Sequence, residues 1–566
     1  MRVSNHLLMW TRQGGAMGIQ RSAKLISRAA QRQSCGVMIL VLTIAVFAEV
    51  RVMHAAAEKG PRVVLQDGVL EGSQFGPSAR YAAFLGIHYA APPVGKLRWQ
   101  PPRPPASWQG VRQAQSYGPA CPQLPSTWLP QMLGRKQMST DEACLYLNVW
   151  TPNLGSRDRL PVMVWIHGGG NVEGSQEWPP LGPTLATHGV VVVTINYRLG
   201  ILGFLSHGAL TAESPNRASG NYGLLDQMAA LKWVQRNIDR FGGDPNRVTV
   251  FGASSGSLDI CDLMASPLAD GLFQRAIMQS GVCVDSVVPL LTGTEASGAQ
   301  FAADLGLGNG PDVLTKLRAL PADDLVRQAA KEKDLDLNPV VDGWVLRQQP
   351  ATIFAQGQQV KVPVIVGSNA DEVSIFASPL VEGRSYRPKT VGEYRQWLSR
   401  EFHNDADKVF AAYPARNDAE VPIAFRAMDT DYEFGFGANL LAHEVASHGE
   451  RAYLYMFTKV GAGEFTELGA FHSEESMFLS GKYWTSWVRS PGDAQLSNTI
   501  IGYWTEFARS GKPSDPRLQP WPRYQPNAPM AQELGLQVKQ IPVPHAASMG
   551  VFEEILKSQL QPGGTQ

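Results

Sequence analysis

Short runs that are apolar at nearly every position alternate along the chain with longer stretches in which apolar residues recur every three or four positions. The clearest runs are residues 161–166 (PVMVWI) and 190–195 (VVVVTI); 247–251 (RVTVF), 363–366 (PVIV) and 452–457 (AYLYMF) are further predicted strands, and another begins at 275–278. A strand that is apolar on both sides is covered on both faces, as central strands of a parallel sheet are. Over 224–241, Leu224, Leu225, Met228, Leu231, Val234 and Ile238 keep helical spacing, and Gly242-Gly243-Asp244-Pro245 stops the helix. Near the start, Val63-Val64-Leu65 and Val69-Leu70 flank the turn pair Asp67-Gly68, which predicts a hairpin over 62–71. Strands alternating with helices predict an α/β fold with a large central, mostly parallel sheet. The regions 285–345 and 373–450 read as helix-rich insertions over the strand ends.

Composition and charge narrow the picture. The chain has 50 basic and 50 acidic residues. A net charge of zero argues against a nucleic-acid binder, which normally carries a basic excess. The first 57 residues read as a leader rather than as fold. Arg21, Lys24, Arg28 and Arg32 precede a 12-residue apolar stretch at 37–48. A membrane span needs about 20 residues, so this suits the core of an export signal, with Ala55-Ala56-Ala57 as the cleavage site. The expected mature chain, 58–566, carries a net charge of about −6 because the leader holds seven basic residues and one acidic residue. It would be periplasmic or secreted, with no stable membrane span. Cys35 leaves with the leader, and Cys121, Cys144, Cys261 and Cys283 remain, an even number suited to an oxidising compartment.

Candidate chemistry starts at Gly252-Ala253-Ser254-Ser255-Gly256. This Gly-x-Ser-x-Gly pattern follows the run RVTVF and precedes the apolar helical residues Leu258, Ile260 and Leu263. Strand, sharp turn and helix are the setting of an exposed nucleophilic serine. The serine there adopts a positive φ, and side chains two residues to either side would collide with the neighbouring strand and helix. A helix N-terminus beside Ser254 favours developing negative charge. His167-Gly168-Gly169-Gly170 follows another buried strand, where glycines let backbone N–H groups turn toward one point. Gly169, Gly170 and Ser255 are the expected oxyanion donors.

Several longer stretches carry a resemblance: Phe84-Leu85-Gly86-Ile87-His88-Tyr89-Ala90, Glu142-Ala143-Cys144-Leu145-Tyr146-Leu147-Asn148-Val149, Asn196-Tyr197-Arg198-Leu199-Gly200 and Gly220-Asn221-Tyr222-Gly223-Leu224-Leu225-Asp226-Gln227. Phe241-Gly242-Gly243-Asp244-Pro245, Trp504-Thr505-Glu506-Phe507-Ala508 and Trp521-Pro522-Arg523-Tyr524 continue it. Together they resemble the type-B carboxylesterases, the cholinesterase-like branch of the α/β-hydrolases, from about residue 62 to 524. The resemblance implies one large α/β-hydrolase domain over 58–566, in place of the four or so domains that length alone suggests. It implies a Ser-Glu-His triad carried by Ser254, Glu372 and His472. Asp371 is the competing carboxylate, and His403, His443, His448 and His545 read as surface or packing histidines. It implies a Cys121–Cys144 disulfide and structural ion pairs of Arg98 with Glu142 and Arg198 with Asp226. Cys261 and Cys283 match no pair of the family, so their pairing stays open. The activity implied is hydrolysis of small-molecule carboxylic esters, bulky ones in bacterial relatives, without metal or organic cofactor. An amide, carbamate or lactone hydrolase would use the same groups, and a non-catalytic binding protein could share the fold, although here every triad position is filled.

Departures from the family pattern matter. Ala253 stands where a Glu usually precedes the serine, removing a negative charge near His472. Ala143 replaces an Asp, and His88 a Pro. Asn171 follows the glycine triplet where an apolar residue is usual, which suggests a polar contact with substrate. Trp128 is the only tryptophan of the 121–144 loop, so no aromatic choline site is read there. Two other motifs are set aside. His443 and His448 are five apart, so on a helix they point about 140° apart and cannot share a zinc ion as an i, i+4 pair does. Gly306-Leu307-Gly308-Asn309-Gly310 lacks the preceding strand of a nucleotide loop.

Overall fold

The computed structural model describes residues 60–561 except 78–79, 126–137, 156–158, 379–386 and 484–486. The leader and Trp128 therefore lie outside the described residues. The strands in chain order are β1 (Arg62–Val64), β2 (Val69–Glu71), β3 (Ser73–Phe75), β4 (Tyr81–His88), β5 (Val111–Gln113), β6 (Tyr146–Thr151), β7 (Leu160–Ile166), β8 (Val191–Ile195), β9 (Gly243–Ala253), β10 (Arg275–Gln279), β11 (Val364–Asn369), β12 (Ala452–Phe457), β13 (Met530–Leu534) and β14 (Lys539–Pro542). The predicted hairpin is β1–β2, joined by β5 in a small sheet. Among the described residues, eleven strands form the main sheet in the order β14-β13-β12-β11-β10-β9-β7-β8-β6-β4-β3. Its centre, from β13 to β8, is parallel, and β14, β6, β4 and β3 add antiparallel edges.

The apolar runs sit where two-sided burial demands them. Val162, Val164 and Ile166 of β7 face one core with Val191, Val193, Val248 and Val250, while Met163 and Trp165 face the other with Val192, Phe251 and Ile277. On the first face lie helices α1 (Tyr222–Asn237), α2 (Ser255–Ala265) and α3 (Phe436–Ser447); α4 (Glu474–Ser480) and α5 (Asp493–Ser510) cover the second. Trp165 stands edge-on to Phe251 at 5.0 Å. Truncating such a buried ring typically costs about 3–5 kcal/mol, so the strand ends are held firmly. Further helices at Leu291–Asp304, Val313–Ala319, Ala322–Ala329, Val391–Phe402 and Val421–Thr430 fill the regions expected to be helix-rich.

The helix expected over 224–241 is α1 followed by a 3₁₀ turn, Ile238–Phe241, closed by Gly242 at φ 83°. Strand β9 starts directly afterwards, earlier than its apolar run suggests. Strands β4 and β6, visible in the sequence only as family stretches, pair with each other across a bulge between Phe84 and Ile87.

Two disulfides close the scaffold: Cys121–Cys144, as the resemblance implied, and Cys261–Cys283, which ties α2 to the chain leaving β10. Both implied ion pairs form. Arg98 meets Glu142 at 2.5 Å, and Arg198 meets Asp226 at 2.7 Å with both side chains almost fully buried. The backbone N–H of Arg198 also donates to Asp226. Losing one partner of such a buried pair typically costs about 3–5 kcal/mol, because the other charge is left unpaired.

Candidate active site

The C-terminal ends of the parallel strands bring the candidate residues together, as expected at the edge of an open α/β sheet. Strand β9 turns into α2 at Ser254, whose backbone sits at φ 56°, ψ −129°. This conformation is costly for a residue with a side chain, and the surrounding structure enforces it. The Ser254 N–H donates to the Gln279 carbonyl at the end of β10 (2.8 Å). A Cβ on Gly256 would lie 2.2 Å from the Ile166 carbonyl oxygen, and one on Gly252 would lie 2.8 Å from the Gly256 backbone. The two glycines thus let strand, turn and helix pack without side chains between them.

The loop after β7 reaches the same turn. A Cβ on Gly168 would lie 3.0 Å from Ser254 Cβ. Gly169 and Gly170 take φ values of 116° and 63°. The N–H groups of Gly169, Gly170 and Ser255 have no acceptor among the described residues. His167 is stacked on Tyr197 at 4.5 Å, and burial, opposed by its hydrogen bond to the Gly168 carbonyl, pulls its pKa down to about 4. It is therefore a neutral packing residue.

Strand β11 ends at Asn369, and Glu372 begins the next turn. The fully buried Glu372 carboxylate accepts from the Asn369 N–H (2.7 Å) and meets His472 Nδ1 at 2.6 Å. The His472 N–H also donates to the Glu372 carbonyl, fixing loop against loop. Phe376 and Phe434 flank the imidazole at 5.2 and 4.8 Å. Asp371 points elsewhere: it accepts from the Ala470 N–H and pairs with Arg426 at 3.3 Å. Ser254 Oγ and His472 Nε2 make no hydrogen bond among the described residues. Such contacts are often loose without substrate and tighten in the reacting complex.

Asn171, expected from the sequence to make a polar contact with substrate, has a buried side chain that is held by protein groups. Nδ2 donates to Asp259 (2.9 Å), and Oδ1 accepts from the Tyr197 hydroxyl (3.0 Å). Both ends of the amide are occupied by protein groups.

Sequence reasoning also passed over a network behind the histidine loop. Buried Glu475 accepts from Gln279 Nε2 and Asn369 Nδ2, both at 2.7 Å, and Asn369 Nδ2 also reaches the Phe471 carbonyl. Burial first, and nearby Glu372 second, raise the Glu475 pKa. The network links the ends of β10 and β11 to the segment carrying His472. Its only sequence signal was the acidic pair Glu474-Glu475 after the histidine. Among the other histidines, His448 bonds the Ala355 carbonyl and His545 pairs with Asp431. Gly306 and Gly308 lie in a positive-φ turn after the helix Leu291–Asp304.

Residues 59–549 match the Carboxylesterase family. Fumonisin B1 esterase of Sphingopyxis macrogoltabida is 40% identical over 486 residues, covering 83% of this chain and 86% of that protein. Para-nitrobenzyl esterase of Bacillus subtilis (strain 168) is 37% identical over 462 residues, covering 78% of this chain and 88% of that one. A solved structure of a thermophilic PNB esterase superposes with a TM-score of 0.75 at 33% identity, covering 87% of this chain and 99% of that one. The chain belongs to the carboxylesterase family of α/β-hydrolases and is a carboxylic-ester hydrolase.

Proposed function

We propose that the chain cleaves bulky small-molecule esters through Ser254, His472 and Glu372, by way of an acyl-enzyme. His472 Nε2 takes the Ser254 proton as Oγ attacks the ester carbonyl carbon, and the carbonyl π electrons move onto oxygen. The N–H groups of Gly169, Gly170 and Ser255 hold that oxyanion; one such donor is typically worth about 3 kcal/mol. Collapse expels the alcohol, which leaves with the proton from His472. Water then repeats the sequence on the acyl-enzyme and restores the serine. Glu372 orients the imidazole through Nδ1 and stabilises its protonated form. The observation that supports the reading is the 2.6 Å contact between buried Glu372 and His472, together with a serine held at positive φ where β9 turns into α2. The relatives named for fumonisin B1 and para-nitrobenzyl esters support large substrates.

Residues 1–57 are read as a cleaved export leader ahead of a single domain, 58–566. The two disulfides support an oxidising destination. One preparation tests both parts. The exported protein should begin at Glu58 and hydrolyse a panel of aryl and alkyl esters, and Ser254→Ala should not. An equally active Ser254→Ala protein would end the triad reading; an intact leader on cytoplasmic protein would end the export reading.

A further inference from the structure

Behind the oxyanion loop lies a buried set of polar groups that the mechanism above does not use. Asn171 sits at φ 61°, in the left-handed region that Asn tolerates better than other residues with a side chain. All four of its polar groups are engaged. Its N–H donates to Ser255 Oγ (3.1 Å), and its carbonyl accepts from the Gly200 N–H (2.6 Å). Its side chain bridges Tyr197 and Asp259 at 3.0 and 2.9 Å. The Tyr197 hydroxyl also reaches the His167 carbonyl (2.8 Å), and the second Asp259 oxygen accepts from Gln227 Nε2. Asn171, Asp259 and Gln227 are each almost fully buried.

Asp259 lies one turn into α2, the helix that starts at Ser255. The bridge therefore runs from the helix behind the nucleophile to the loop that carries Gly169 and Gly170. The Gly169 carbonyl is held by the Val172 and Glu173 N–H groups (both 3.1 Å), and Asn171, the residue between Gly170 and that turn, ties the same loop to the helix behind the serine. We infer that Asn171 and Asp259 form a positioning clamp that holds the Gly169 and Gly170 donors in register with the Ser255 donor. The clamp rests on the proposed Ser254 chemistry and adds residues to it. Both side chains are buried and engaged by protein groups. The clamp acts on the donors' geometry, so its loss falls on the transition state; a misplacement of about 1 Å can cost about 10²-fold in rate.

The test compares Asn171→Gly, Asp259→Ala and Asp259→Asn with the full-length parent enzyme on a p-nitrophenyl ester. Asn171→Gly keeps the left-handed backbone accessible while deleting the bridge. Asp259→Asn keeps the shape; the Gln227 Oε1, buried without a partner, can accept from the new amide after a flip of the Gln227 side chain. The readouts are kcat, KM and the Ki of an aryl trifluoromethyl ketone, which adds to serine as a tetrahedral oxyanion. Asn171→Gly and Asp259→Ala should lower kcat by about 10- to 100-fold and raise Ki by the same factor, with KM moving less than about threefold. Asp259→Asn should recover most of that loss. If Asp259→Ala does not fold, Asn171→Gly and Asp259→Asn still decide. A lowered Tm with unchanged kcat and Ki would overturn the clamp and leave a structural role. So would a change in KM or substrate ranking for Asn171→Gly alone, which would mean contact with substrate. Full activity in Ser254→Ala is a separate outcome that removes the underlying mechanism instead.

Discussion

Two histidine–carboxylate pairs in this molecule are almost identical as hydrogen bonds and opposite in setting. His472 Nδ1 meets Glu372 at 2.6 Å, and His545 Nδ1 meets Asp431 at 2.7 Å. The five-residue π-turn Asp431–Gly435 even serves both, supplying Asp431 to one and Phe434 against the other ring. The first pair is sealed: the His472 side chain is 9% exposed and Glu372 not at all. The second is open, with the His545 side chain 51% exposed at the start of the helix Ala546–Gln559. Asp431 is further satisfied by the Tyr413 hydroxyl. The difference teaches that a carboxylate on Nδ1 does not by itself make a base. What differs is the setting: the His472–Glu372 pair is enclosed, with Phe376 and Phe434 against the imidazole, while His545 stands half exposed at the surface.

The largest expected effect breaks the two pairs in parallel. Glu372→Gln should lower kcat/KM by about 10²- to 10⁴-fold, because the imidazole loses its orienting and stabilising carboxylate. Asp431→Asn should leave kcat/KM within about threefold and register instead in Tm. Equal losses of activity in the two variants would erase the distinction.

A smaller effect lies in the pH dependence of stability. The hydrogen bond that His545 Nδ1–H donates to Asp431 raises the His545 pKa above the ordinary imidazole value of 6.5, against the opposing effect of burial. The folded state therefore holds that proton more tightly than the unfolded chain. The stabilisation is complete below 6.5 and is lost as pH rises through the raised folded value. Because the imidazole is half exposed, the gain is below about 1 kcal/mol. His545→Gln should melt lower than the parent by about a degree or two near pH 5.5, and the gap should close by about pH 9. A gap that widens with pH would contradict this sign.

The central strands were legible because a strand buried on both sides leaves a continuous apolar run, as β7 and β8 do. Strands β4 and β6 escaped that test. They lie toward the antiparallel edge, and β6 carries buried Asn148, whose amide is satisfied by Thr194 and the Gly86 N–H. Ser254 was legible as a candidate because Gly-x-Ser-x-Gly between a strand and a helix has a local geometric reason, whereas Glu372 and His472 were picked out only by resemblance to the family, since no local pattern links residues 100 or more positions apart. The role of Asn171 was not legible. It depends on a left-handed backbone and on Asp259, 88 residues away in sequence, which no local pattern links to it. Nor could spacing decide that Cys261 pairs with Cys283, since that needs α2 and the exit of β10 to lie side by side.

The central claim is that His472, and no other histidine, activates Ser254. It is tested most directly by labelling with a fluorophosphonate and locating the adduct by peptide mass spectrometry in the parent, His472→Ala and His545→Ala proteins. The account predicts one adduct, on Ser254, formed at the parent rate in His545→Ala and slowed by at least about 10³-fold in His472→Ala. An adduct on another residue, or equal rates in the two histidine variants, would contradict it.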